Sequence, residues 1–185
     1  MKVTGIILAG GKSSRMGTEK GLIEIHGRPM TRIIIDLLRP LCNTIFISTS
    51  NPLYSSFGYP LIPDLHKDKG PISGLYSALS ASPNHINLFL PCDVPYMRQE
   101  ILELLLITAN SNPEKCIIPY TDYPEPLIAV YPKSTLPVLN QLIMDGETRI
   151  KEIFNHLPTL FISMKEAGIN YHAFKNINTP DDLKI

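Results

Sequence analysis

Val3-Thr4-Gly5-Ile6-Ile7-Leu8 is a short apolar run without a charge, stopped by Ala9-Gly10-Gly11. Such a run has the form of a β-strand covered on both faces, and the paired glycines end it in a loop. Strands of this kind belong to sheets with helical crossovers, and the chain downstream supplies them. Pro29 opens a helix with Ile33, Ile34, Leu37, Leu38 and Leu41 at helical spacing. Residues 44–48 form the next strand, residues 59–63 a shorter one, and residues 71–80 a helix with Ile72, Leu75 and Leu79 on one side. Residues 86–90 are again a strand, ended by Pro91-Cys92-Asp93-Val94-Pro95, and residues 99–109 a helix with Leu102, Leu105 and Leu106 turned to the core. Residues 115–119, 127–131 and 160–163 are further strands, and residues 136–144 and 150–154 helices. This alternation predicts an α/β protein: a mostly parallel twisted sheet with helices on both faces, in one domain over residues 1–185.

Composition narrows the function. The 185 residues hold 17 Lys+Arg against 17 Asp+Glu, a formal net charge of zero, so no electrostatic footprint for nucleic acid or an anionic membrane is expected. At 44% hydrophobic the chain is far from the disordered class. No apolar run approaches the ~18 residues of a spanning helix, and the segment before Gly10 is too short for a signal-peptide core. Cys42, Cys92 and Cys116 lie far apart, without a CxxC pair, which predicts neither a disulfide frame nor a zinc site. A cytoplasmic protein is expected.

In doubly wound sheets the ligand crevice lies beyond the carboxyl ends of the strands, which points to the residues after Leu8 and Leu90. The first loop reads Leu8-Ala9-Gly10-Gly11-Lys12-Ser13-Ser14-Arg15-Met16-Gly17-Thr18-Glu19-Lys20. Its glycines let backbone N–H groups approach phosphate oxygens, and Arg15 and Lys20 can neutralise the remaining charge. It is neither a Walker A loop nor a dinucleotide fingerprint, because it lacks the Gly-Lys-Ser/Thr tail and the G-x-G start. By itself it also fits an ordinary strand-to-helix connection. Asp93 follows the strand at 86–90, and a single carboxylate with triphosphate oxygens and water is a common Mg²⁺ site. Alone, Asp93 fits an N-cap or turn residue better than a metal ligand. The histidines His26, His66, His85, His156 and His172 lack metal-ligand spacing, and Cys92 reads as a small buried group rather than a nucleophile.

Taken together, these segments resemble a known family. The first loop is similar to the LAGGxSxRMGxDK signature of the molybdenum cofactor nucleotidyltransferases, particularly the molybdenum cofactor guanylyltransferases, with Glu19 in place of the usual aspartate. Gly70-Pro-Ile-Ser-Gly74 is similar to the family's GPLAG, and Pro91-Cys-Asp-Val-Pro95 to PCDxP. Glu125-Pro-Leu-Ile-Ala-Val-Tyr131 matches EPLxALY, and Asn176-Ile-Asn-Thr-Pro-Asp-Asp-Leu183 matches NINTPEDL. The motifs follow in family order along nearly the whole chain.

The resemblance implies a three-layer Rossmann-like nucleotidyltransferase fold. It implies that Leu8, Ala9 and Gly10 line the guanine and ribose side of a nucleotide pocket, with Gly11 beside them. Lys20 would hold the phosphates next to Arg15, Asp64 would contact the nucleotide, and Asp93 would ligate Mg²⁺. Ser48 stands at the nucleotide edge where the family commonly has asparagine. Asn176 and Asn178 match positions near the cofactor-facing side, and Arg149 and Lys151 fall in a region that faces the pterin.

The implied reaction moves GMP from GTP to the terminal phosphate of molybdenum-loaded molybdopterin and releases pyrophosphate. The attacking phosphate is already an anion, so a Ser-His-Asp or Cys-His arrangement is not required, and none is found in the sequence. The molybdenum-inserting enzyme and acceptor molybdoenzymes are the implied protein partners. Two other readings stay open: a cytidylyltransferase using CTP on the same acceptor, and a nucleotide-binding adaptor without turnover.

Overall fold

Strand β1 (Val3–Leu8) is covered on both faces, as its composition demands. Val3 and Ile7 point into one apolar cluster and Ile6 into the other. The structure is a computed structural model and describes residues 1–10, 19–66, 70–178 and 182. After β1 the described chain forms a small antiparallel hairpin, β2 (Glu24–Ile25) and β3 (Arg28–Pro29), and enters α1 (Met30–Leu38). There follow β4 (Thr44–Ser48), β5 (Leu61–Ile62), α2 (Gly70–Ala81), β6 (Ile86–Pro91) and α3 (Gln99–Ser111). The chain continues through β7 (Cys116–Tyr120), β8 (Ala129–Pro132), α4 (Leu136–Met144) and β9 (Thr159–Ser163).

Among the described residues the main sheet has seven strands in the order β5-β4-β1-β6-β8-β7-β9. Strand β8 runs antiparallel to its neighbours β6 and β7, and the remaining neighbouring pairs are parallel. One face carries α1 and α3 through Ile34, Ile35, Leu38, Ile101, Leu102 and Leu105. The other carries α2 and α4 through Ile72, Leu75, Leu79, Leu139, Leu142 and Ile143. This is the expected mostly parallel three-layer fold. Each fully buried Leu or Ile stabilises it by about 1.5–3 kcal/mol.

The chain first winds outward from β1 to β4 and β5, then returns to place β6 on the other side of β1. The order of connection therefore reverses between β1 and β6, which opens a crevice above their carboxyl ends. No helix among the described residues is long and apolar enough to cross a membrane.

Three elements differ from the sequence reading. Helix α1 buries Met30, Thr31 and Ile35 along with Ile34 and Leu38, while Ile33 and Leu37 are only half-buried. Both sets repeat at helical spacing, and the rotation of the helix on the sheet selects between them. Residues 150–155 wind as a 3-10 turn in place of an α-helix, with Ile153 the one buried side chain. The β2–β3 hairpin turns on His26 (φ 51) and Gly27 (φ 75), the paired left-handed residues of a tight hairpin turn.

Candidate active site

The ends of β1, β4 and β6 are tied together by backbone. The Ala9 N–H donates to the Ser48 carbonyl at 3.0 Å, and the Cys92 N–H donates to the Leu8 carbonyl at 3.0 Å. Ala9-Gly10 and Cys92-Asp93 therefore emerge side by side at the switch point. From the far end of the chain, the Ile177 N–H donates to the Asp93 carbonyl at 2.8 Å and brings Asn176 and Asn178 to the same place.

Lys20 begins a 3-10 turn, Lys20–Leu22. Its Nζ lies 3.4 Å from Asp93 Oδ2 and donates to Asn178 Oδ1 at 2.6 Å. Three residues separated by 73 and 158 positions are thus joined through one ammonium group. The Asp93 side chain is 15% exposed and that of Lys20 28%. Burial raises the Asp93 pKa above the usual carboxylate range, and the nearby Lys20 charge pulls it partly back. The other carboxylate oxygen, Oδ1, is buried and has no hydrogen-bond partner among the described residues. A buried acceptor without a donor is costly, and a cation would relieve it. Among the described residues no group of three or more His, Cys, Asp or Glu side chains could hold a metal, so a metal here would rely on ligand oxygens and water.

The cleft has two lobes. One, about 630 Å³ out to its open mouth, is lined by Leu8, Gly10, Lys20, Asp93, Leu127 and Asn176, among others. The second, about 520 Å³, is lined by Gly10, Glu19, Thr49, Ser50, Asn51 and Asp64. Ala9, Gly10 and Glu19 border both. Asp64 is solvent-exposed at the rim of this lobe, and partial desolvation there raises its pKa above the usual carboxylate range. A Cβ at Gly74 of α2 would stand 3.4 Å from Asp64 Oδ1 and 3.7 Å from Ser48 Oγ, so the small residue lets the helix lie close to both. Gly70 adopts φ +65, and a Cβ there would meet the Thr148 carbonyl at 2.9 Å. The Gly70-to-Gly74 motif therefore braces the second lobe from behind.

The structure brings Leu8, Ala9, Gly10, Lys20, Asp64, Asp93 and Asn176 to the cleft walls and joins Asn178 to Lys20. Gly11 and Arg15 lie outside the described residues. The Ser48 side chain is buried, and it is the neighbouring Thr49, Ser50 and Asn51 that border the second lobe. Arg149 and Lys151 are not among the residues bordering either lobe. The Arg149 side chain, 72% exposed, is gripped by Glu147 at 3.0 Å and Glu152 at 3.2 Å, and the Lys151 ammonium sits 5.6 Å from the centre of the Tyr123 ring. Cys92 is fully buried with its thiol pKa pushed up to about 12, which keeps it protonated and inert.

Glu19, Tyr54 and Leu127 also border the cleft without having been singled out for it from sequence. Glu19 and Leu127 sit inside matched motifs and were available on that ground. Tyr54 comes from the turn between β4 and β5 and carries no local signal of its position.

A doubly wound sheet that sets Gly10, a lysine and the largely covered carboxylate of Asp93 around one crevice has the arrangement of a nucleotidyltransferase. The sequence matches the MobA-like NTP transferase domain over residues 5–160, and the chain belongs to that family. It is 35% identical to a Flavobacterium johnsoniae protein named "Probable molybdenum cofactor guanylyltransferase", over 98% of this chain and 94% of that protein. It is 29% identical to the molybdenum cofactor guanylyltransferase of Vibrio cholerae, over 96% of this chain and 88% of that one. Its structure superposes on molybdopterin-guanine dinucleotide biosynthesis protein A from Archaeoglobus fulgidus with a TM-score of 0.84 at 28% identity, covering 98% of this chain and 95% of the other.

Proposed function

We propose that this protein transfers GMP from GTP to the terminal phosphate of molybdenum-bound molybdopterin, giving the guanine dinucleotide cofactor and pyrophosphate, with Mg²⁺ as its metal. The observation that carries this reading is the meeting of Lys20, Asp93 and Asn178 beside Gly10 at the switch point, in a chain that aligns over nearly its full length with guanylyltransferases.

The nucleotide lies against Ala9 and Gly10, with Gly11 and Arg15 completing the phosphate loop. Its base and ribose point towards Asp64 and the second lobe, with Ser48 behind that wall. Lys20 neutralises phosphate charge and orients the triphosphate for in-line attack. Asp93 holds Mg²⁺, and its Oδ1, unpartnered among the described residues, is the support for that assignment. An ion held there would supply positive charge to the triphosphate oxygens and to the departing pyrophosphate. The acceptor enters from the side of Asn176 and Leu127. Arg149 and Lys151 serve its pterin end, for which Arg149 exchanges Glu147 and Glu152 for the ligand. Positioning and charge neutralisation supply the rate, since the acceptor phosphate needs no deprotonation. Residues 1–185 act as one nucleotidyltransferase domain in the cytoplasm, with the molybdenum-inserting enzyme and acceptor molybdoenzymes as partners.

The test is thermal unfolding with GTP, CTP or ATP plus Mg²⁺, followed by pyrophosphate release with molybdenum-loaded molybdopterin. A shift of several degrees with GTP alone, together with release, supports the reading. A larger response to CTP overturns the choice of base, and GTP binding without release overturns transfer.

A further inference from the structure

Tyr54 lies in the 3-10 turn Pro52–Phe57, 1% exposed, and takes no part in the chemistry assigned above. Its hydroxyl donates to Glu19 Oε2 at 3.4 Å. The backbone N–H of Gly21 faces the Tyr54 hydroxyl oxygen. Gly21 is wedged tightly: a Cβ there would stand 2.7 Å from the Tyr54 hydroxyl and 2.9 Å from Cε1 of its ring, and would also collide with Thr31 Oγ1. Glu19 and Gly21 are the two neighbours of Lys20.

A phenol hydroxyl has one proton to donate and lone pairs to accept with, so it can serve both neighbours at once. Among the described residues the segment is otherwise held by the turn bonds from Leu22 N–H to the Glu19 carbonyl and from Ile23 N–H to the Lys20 carbonyl, and by Leu22 packed on the core. Lysine has a flexible four-carbon stem, and where its ammonium arrives depends on how firmly its backbone is held. We propose that Tyr54 is a positioning residue: its buried hydroxyl clamps Glu19 and Gly21 and thereby aims Lys20 at Asp93 and Asn178. Burial raises the Tyr54 pKa, which keeps the donating proton in place across the physiological range. The kinetic arm of this proposal rests on the transfer reading; its structural arm does not.

The test is a double-mutant cycle with Tyr54→Phe, which retains the ring, and Lys20→Ala, read as kcat/KM for pyrophosphate release. A crystal structure of Tyr54→Phe gives the second readout. Tyr54→Phe alone should lower kcat/KM by roughly five- to tenfold, the effect of one lost buried hydrogen bond. In the Lys20→Ala background it should change the rate by less than about twofold, because the group it aims is gone. The crystal structure should show Lys20 Nζ withdrawn from both Asp93 and Asn178. An equal loss in both backgrounds, as a purely structural role would give, overturns the proposal. So does a Tyr54→Phe structure in which Lys20 keeps both contacts, whatever nucleotide the protein transfers. If wild-type protein releases no pyrophosphate, the transfer reading fails and the crystal structure alone judges the clamp.

Discussion

Asp93→Asn preserves the side-chain shape and removes one charge from a site 15% exposed, 3.4 Å from Lys20 Nζ. At that distance the attraction between unit charges is about 5 kcal/mol for an effective dielectric of about 20, and about 1 kcal/mol in water. Against it stands the cost of taking both groups out of water, several kcal/mol per ion. The Asp93 pKa lies above the usual carboxylate range even with Lys20 beside it, so desolvation outweighs the attraction. The ligand-free variant should therefore be as stable as wild type or more so, by about 0–2 kcal/mol, which corresponds to a thermal midpoint up to roughly 6 °C higher. Turnover should fall by about 10²–10³-fold, the usual cost of one preorganised electrostatic partner. The stabilisation that GTP and Mg²⁺ confer on wild type should largely disappear. Calorimetry without ligand, calorimetry with both ligands and a pyrophosphate assay measure the three effects. A ligand-free midpoint lowered by more than about 4 °C would show that the carboxylate serves the fold, and unimpaired turnover would remove it from the metal site.

Gly70→Ala should cost about 2–4 kcal/mol, since the residue has φ +65 and a Cβ would press on the Thr148 carbonyl; thermal unfolding should read a drop of roughly 5–15 °C. Burial pushes the Cys92 and Cys116 thiols up to about 12, so a thiol reagent at about pH 8 should label these two rapidly only after denaturation. Fast labelling of either in native protein would contradict the burial. Hydrogen bonds from Arg149 hold the Glu147 carboxyl at a pKa of about 2, below its ordinary 4.5. Because the folded pKa is the lower one, the contribution of Glu147 is present above pH 4.5 and lost as pH falls from 4.5 to about 2. The difference in midpoint between wild type and Glu147→Gln should close over that window, and a carboxyl titration by NMR with a midpoint near the ordinary value would refute the clasp.

Several elements could be read directly because their signals are local. Residues 3–8, 44–48 and 86–90 are short apolar runs with breakers behind them, and each became a strand at the centre of the sheet. The glycines after Leu8 and the acid after Pro91 then had to lie near the crevice, since parallel neighbours place their carboxyl ends at one edge. The face of α1 was not readable in the same way. Met30, Ile34, Ile35 and Leu38 are buried where Ile33 and Leu37 are half-exposed, and both sets share one period. The antiparallel direction of β8 was equally hidden, because pairing direction depends on which edge of the sheet remains free.

What the sequence determined by itself was the alternation of strands and helices, the motifs at the strand ends and, through them, the family. Those properties follow from side-chain polarity and backbone preference over a few neighbouring residues. Only the tertiary structure decided that Lys20 reaches both Asp93 and Asn178, that Arg149 is occupied by Glu147 and Glu152, and that Tyr54 reaches Glu19 beside Lys20. Each of these is a contact or a rotation set by how separate elements settle on the sheet, and hydrogen-bond distances of about 3 Å are fixed by that packing rather than by any residue's neighbours in the chain.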